Sequence, residues 1–203
     1  QQLYKDLSGG DYLRAASLKG LAIHTALEAG DTIGPDYSYG WGLLDVSRMA
    51  DFLVYQDEDH YIFREEELNN EDTLYYHFYS NGAHPVKATI TWTDYPGDSP
   101  EPQINPRIPV LVNDLDMSII SEAGDTLFPW ILDVEQPEAP AVTGDNYVDN
   151  VEQVYIAAPS AGSYQLMITH KDSLRTGSQH FSLFIQTKDF PELKNNFYWI
   201  GGD

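Results

Sequence analysis

The sequence predicts a mainly β protein: an antiparallel sandwich or jelly roll, entered through two short helices. Three observations point there. The apolar period changes from 3.6 to 2 after Gln56-Asp57-Glu58-Asp59. Short alternating segments then recur as far as Phe181–Ile185, with turn signals between them, and the periodicity is lost from Lys188 on. Finally, 14 Tyr stand against 3 Met, an aromatic choice that suits pleated, half-buried surfaces.

The helices come first. Leu18, Leu21, Ala22 and Thr25 fall on one helical face, with Ala29-Gly30 as the stop. Asp45 is placed to cap a second helix with the stripe Val46, Met49, Ala50 and Leu53. Two such helices bury little by themselves, so their apolar faces need the sandwich or a second copy as a partner. Strand candidates follow. Leu74, Tyr76 and Phe78 alternate with polar or amphipathic residues, as do Val86, Ala88, Ile90 and Trp92. Met117–Ile119, Tyr164–Ile168 and Phe181–Ile185 repeat the pattern, and His60–Arg64 and Val151–Ala157 add two weaker segments. Asn81-Gly82, Ala123-Gly124-Asp125, Ala161-Gly162 and Thr176-Gly177 supply the turns. Asp94 to Val112 carries five prolines and reads as a long loop. These features divide the chain at 1–55, 56–188 and 189–203, the last segment being a linker into a further module. The opening Gln1-Gln2 reads as the start of an excised piece.

Thirty-two acidic against 11 basic residues give a formal charge of -21. Such a surface repels nucleic acid and anionic lipid, and no apolar run approaches the roughly 20 residues of a bilayer span. The absence of cysteine excludes disulfides, thiol catalysis and Cys-type zinc sites. Serine, acid and histidine are all present, but no Gly-x-Ser-x-Gly or Gly-Thr-Ser turn presents a nucleophile. His24 is expected near the polar edge of the first helix, with His77, His170 and His180 in or at the ends of strands. No two histidines have zinc spacing, whereas oxygen ligands are plentiful and suit calcium. Two clusters stand out: Asn113-Asp114-Leu115-Asp116, and Asp145 through Asp149, Asn150 and Glu152. Leu115 and Val151 would anchor in the core while the acids gather at a loop end. Converging carboxylates need a cation between them; alternatively, these acids cap solvated turns.

Two groups of motifs carry a resemblance. Leu18-Lys19-Gly20-Leu21 through Thr25-Ala26-Leu27, followed by Tyr39-Gly40-Trp41-Gly42-Leu43-Leu44-Asp45, resembles the C-terminal end of a subtilisin-like serine protease (subtilase) catalytic domain. Thr91-Trp92-Thr93-Asp94, Leu111-Val112-Asn113-Asp114-Leu115-Asp116, Asp149-Asn150-Val151-Glu152, Gly162-Ser163-Tyr164 and Gln179-His180-Phe181-Ser182-Leu183 resemble the β-sandwich that follows it in the oxidatively stable alkaline subtilases. The resemblance implies that residues 1–55 end an α/β catalytic domain and that the sandwich is an accessory domain binding calcium. Asp114, Asp116, Asp145, Asp149, Asn150 and Glu152 are then the ligand candidates. It also implies a secreted or surface-bound bacterial endopeptidase whose upstream protease domain is the partner and whose substrates are proteins or peptides. The family's catalytic Asp, His and Ser have no counterpart, so this chain would be inactive alone; self-association through exposed helices is a further expectation. The segment Asn196–Asp203 resembles the opening of surface-protein repeats of gut and oral bacteria. The rival reading is a carbohydrate- or protein-binding module of a bacterial surface protein, using Trp92, Trp130 or the long loops.

Overall fold

The computed structural model describes residues 1–56, 59–99, 101–102 and 108–190. Most of the expected linker, the tail from Asn196 and part of the proline-rich loop lie outside them. Three helices, α1 (Gln2–Ser8), α2 (Ala15–Thr25) and α3 (Val46–Tyr55), precede the strands. The longer strands are β1 (Tyr61–Asn69), β2 (Leu74–Ser80), β3 (Val86–Trp92), β4 (Leu115–Ser121), β8 (Val151–Ile156), β9 (Gly162–His170) and β10 (Ser178–Gln186). Short strands β5 (Thr126–Leu127), β6 (Trp130–Ile131) and β7 (Val142–Thr143) lie between β4 and β8.

All pairings are antiparallel. One sheet runs β1-β10-β3-β8 and the other β2-β9-β4-β5, with β6 and β7 forming a small ribbon. Strands β1 to β4 alternate between the two sheets, the double-sheet wrapping of a jelly roll. The core between the sheets takes Ile90, Trp92, Leu183 and Ile185 from the first and Leu115, Ile119, Leu166 and Ile168 from the second, all fully buried. These are the alternate positions the period-2 pattern marks.

The other face of the first sheet is not solvated, as simple alternation suggests, because α2 lies across β3 and β10. A second core forms there from Leu13, Leu21, Phe52, Leu53, Tyr61, Phe63 and Phe184. The rings interlock: Phe63 stacks on Phe184 at 5.1 Å, and Phe52 meets Tyr61 edge-on at 5.8 Å. The buried face of α2 is Ala16, Ser17, Gly20, Leu21, His24 and Thr25, displaced from the expected stripe; Leu18 is exposed. The reason is that α2 meets the sheet through small and polar residues. Thr91 Oγ1 donates to the Ala16 carbonyl (2.9 Å), Ser17 and Ser182 share a hydroxyl bond (2.7 Å), and His24 Nδ1 pairs with Thr89 Oγ1 (2.8 Å). His24 is therefore fully buried rather than at a polar edge. Its ring lies against Phe52 and Phe184, and burial first, then the Lys87 ammonium, hold its pKa well below the ordinary value.

The N-terminus of α2 has no cap of its own. Glu65 of β1 replaces it, accepting from the Arg14 amide at 3.0 Å and from the Ser17 hydroxyl, a carboxylate where the helix dipole favours one. α2 ends at Thr25, earlier than Ala29-Gly30 implies. Asp45 caps α3 as expected, accepting from the Arg48 amide at 3.0 Å, but α3 buries Phe52 and Leu53 and leaves Val46 exposed.

Gly20 sets the approach of α2. A Cβ there would sit 2.5 Å from both Phe184 Cε2 and Thr91 Oγ1. Gly20→Val should therefore destabilise the fold by about 1–3 kcal/mol through overpacking, whatever it adds in helix propensity. A thermal melt lowered by about 2–4 °C per kcal/mol would show it; an unchanged melt would mean that the contact is loose.

Candidate functional site

The expected ligand cluster divides into two groups, each centred on a lysine. Lys171, just after β9, places its ammonium 3.1 Å from Asp114 Oδ2 and 2.9 Å from Asp116 Oδ1, and it also pairs with Asp145. The backbone ties the same corner together, the Lys171 amide donating to the Asp114 carbonyl at 2.9 Å. Leu115 and Val151 are buried beside these acids, as expected. Asp149 and Asn150 belong elsewhere. Lys19 of α2 donates to Asn150 Oδ1, and Asn150 Nδ2 donates to the Trp92 carbonyl at 2.7 Å, joining helix, loop and sheet. Asn146, which the sequence pattern did not single out as a ligand, folds this loop. Its side chain donates to the Val151 carbonyl (3.0 Å) and accepts from the amides of Val148 and Asp149 (3.2 and 3.3 Å), an Asx device.

Glu152 is the outlier. It sits on β8 of the first sheet and reaches across to the second, where Oε2 accepts from the Met117 amide at 2.5 Å. Its Oε1 and the Oδ1 of Asp114 are buried with no hydrogen-bond partner. Burial pushes the Glu152 pKa well above the carboxylate range, with Asp116 and Asp114 adding to the rise. Burial also raises Asp114 and Asp116, against the opposing pull of Lys171. For Lys171 burial alone would lower the pKa, but the hydrogen bonds it donates to Asp145, Asp116 and Asp114 outweigh it and hold the amine charged far above its ordinary value. The orphaned oxygens of Asp114 and Glu152 are the donors a hard cation takes, but the ammonium of Lys171 already stands among the acids. Among the described residues no three His, Asp or Glu side chains group as a metal site.

A second surface belongs to the connection from α2 to α3. Ile33, Tyr37, Tyr39, Leu43, Leu44 and Val46 are each at least half exposed. Asp31, Asp36 and Asp45 punctuate them, with no basic residue from 31 to 47. The segment is built, not loose. Leu27 and Leu43 exchange backbone bonds (2.9 and 2.8 Å), as do Asp36 and Gly40 (2.9 Å each), and Asp36 Oδ1 accepts from the Ser38 and Tyr39 amides. Gly42 takes φ 102°, and a Cβ there would sit 2.2 Å from the Leu27 carbonyl.

The histidines pair with other groups: His60 with Thr187, His84 with Asp189, and His170 Nε2 with the Glu71 amide. Among the described residues no serine hydrogen-bonds to a histidine. Trp92 is no sugar platform, since it is fully buried and its indole donates to the Asn113 carbonyl at 2.9 Å. Trp130 is half-buried.

The fold defines a two-sheet antiparallel sandwich carrying a docked helical layer. No protein-family model matches the chain, and no curated protein matches it. Among solved structures, it is similar to the crystal structure of Aeromonas hydrophila PliG, a periplasmic inhibitor of g-type lysozyme. The identity is 16% and the TM-score 0.31, over 63% of this chain and 85% of that one. These findings correct the subtilase expectation: no family model, of subtilases or of any other family, and no curated protein matches the chain. The serine-endopeptidase parent, its upstream domain as partner and its peptide substrates are set aside. The structure gives a physical counterpart. The buried faces of α2 and α3, expected to pack on the sandwich or on a second copy, are covered by this chain's own β1, β3 and β10.

The Glu152 carboxyl yields a pH prediction. Its folded pKa is raised, so ionisation opposes folding once the pH exceeds the unfolded value, about 4.3. Stability should fall as pH rises from there toward the raised folded pKa. Glu152→Gln should remove that slope and stabilise the neutral-pH protein by on the order of 1–3 kcal/mol. Urea melts at mildly acidic and neutral pH check it; equal slopes in both proteins would contradict it.

Proposed function

We propose that the chain is a protein-binding β-sandwich module acting outside the cytoplasm. The observation that carries this reading is the acid-punctuated apolar surface of residues 33–46. Six large hydrophobic side chains exposed within 14 residues exceed the scatter of single surface hydrophobics and suit an interface. Tyr37 and Tyr39 bring rigid amphipathic area of the kind that dominates interface energetics. The Asp36 and Leu27–Leu43 hydrogen bonds pre-order the segment, which reduces the entropy cost of association. The occupant is a cationic protein with an apolar centre, because Asp31, Asp36, Asp45 and the chain's charge of -21 favour a basic rim. The expected extracytoplasmic location is compatible with the described residues, in which no helix is long and apolar enough to cross a membrane.

Interferometry of the intact chain against a panel of purified cationic proteins tests the reading. Saturable binding is expected to at least one of them, weakening with salt and by about tenfold or more in the Leu43→Asp/Leu44→Asp double variant. Both leucines are exposed, so the melt should not change. No saturable partner, or binding blind to the double substitution, refutes the reading.

A second proposal concerns calcium at Asp114, Asp116, Asp145 and Glu152, favoured by the two buried oxygens without partners. The ion would displace the Lys171 ammonium; Asp149 and Asn150 would not contribute. Lys171→Met should cost about 1–3 kcal/mol in chelator, less than a fully buried pair because the lysine is one-third exposed. Calcium should then restore more of the melting temperature in this variant than it adds to the parent. If calcium moves neither melt, the acids serve Lys171 alone.

A further inference from the structure

Beneath the 33–46 segment, between the end of α2 and the outer face of β3 and β8, lies a cavity of about 400 Å³, within the range that holds a small organic ligand. Its walls are aromatic on several sides. Trp41 comes from the loop, Tyr155 from β8, and Trp130 from the β6–β7 ribbon. Gly34 lets the loop lie against the Trp130 indole, since a Cβ there would touch the ring at 3.1 Å. The Trp130 Nε1 is buried without a hydrogen-bond partner.

The polar groups are of both kinds. Lys87 and Arg48 bring donors, and Glu28, Gln153 and Asp189 bring acceptors. Among the described residues Lys87 Nζ makes one hydrogen bond, to the His24 carbonyl at 3.2 Å, and lies 5.8 Å from the Tyr155 ring centre. An ammonium has three protons to donate, so two remain for a ligand. Gln153 uses its amide NH₂ on Thr89 Oγ1 (3.1 Å), which leaves its carbonyl oxygen to accept.

We propose that this cavity is a binding site for a neutral sugar residue. The balance of charge selects the class. An anion would meet the Lys87 and Arg48 cations but also Glu28 and Asp189, and a cation would meet the reverse. A sugar hydroxyl both donates and accepts, so it satisfies both sets without a net charge, while its C–H face lies on the indoles and the phenol. The chain's overall charge of -21 gives an anionic ligand no long-range help. The site is separate from the exposed leucines of the protein-docking surface, and the inference does not rest on that surface being used.

Ligand-observed NMR and tryptophan fluorescence of the intact chain provide the test. The probes are cellobiose, maltotriose, diacetylchitobiose and mannobiose, with glucuronate and glucosamine as charged counterparts. At least one neutral sugar should bind saturably, at least tenfold more weakly in Lys87→Met and in Trp130→Ala, and unchanged in Leu43→Asp/Leu44→Asp. Circular-dichroism melts identify any variant that fails to fold, in which case Arg48→Met supplies the second reading. The proposal is overturned if no neutral sugar saturates, if the cavity substitutions leave binding unchanged, or if glucuronate or glucosamine binds more tightly than every neutral probe.

Discussion

The contact between α2 and the outer face of β3 and β10 is the constraint on which the rest depends. It is close because Gly20 has no side chain to hold the helix off Phe184 and Thr91. It is specific because hydroxyls and an imidazole meet across it instead of a purely apolar stripe. Buried polar pairs of this kind tolerate little displacement, since a hydroxyl or imidazole pulled out of register stays desolvated without a partner. Once α2 is seated, Phe52 of α3 closes on His24, Phe184 and Tyr61, and the 27–46 connection passes Trp130 of the β6–β7 ribbon at Gly34. The apolar surface and the aromatic cavity below it both follow from that path.

The charged corner obeys a different balance. Two segments distant in sequence, one carrying Asp114 and Asp116 and the other Asp145, meet the ammonium of a third, so the net charge there remains negative. Glu152, buried nearby, is kept from ionising in its ordinary range by desolvation and by its acidic neighbours. Lys19 performs the corresponding service for Asn150 and Asp149 on the helical side. A strongly acidic chain thus spends two of its few lysines inside acidic loops. Lys19 joins α2 to the loop before β8, while Lys171 adds Asp145 to a corner that the β4–β9 backbone pairing already closes.

The alternating strands were legible because side-chain direction reverses at every residue, and Ile90, Trp92, Leu183 and Ile185 carry that signal locally. β1 was seen only over His60–Arg64, because Arg64-Glu65-Glu66-Glu67 reads as a solvated charge run; in the fold it pairs with β10 along its whole length. The helical stripe on α2 was misplaced for a related reason. Periodicity ranks hydrophobicity, and a helix that docks through Gly, Ser, His and Thr gives it little to rank. The short strands β5 to β7 and helix α1 exist through tertiary pairing and packing more than through local pattern. The acid clusters were legible as clusters, but their division between Lys171 and Lys19 was not, since those lysines lie 57 and 131 residues from their partners Asp114 and Asn150.

By itself, the sequence determined that this protein is mainly β, that its strands are antiparallel and short, that Asp45 caps a helix, and that Leu115 and Val151 anchor acidic loops in the core. Each of these depends on neighbours within a few residues. Only the tertiary structure decided which residues of the helices meet the sandwich, that Trp92 is core, and which lysine answers which acid. Those outcomes depend on pairs of surfaces that meet after folding, and a linear pattern records the residues of each surface without recording what lies against them.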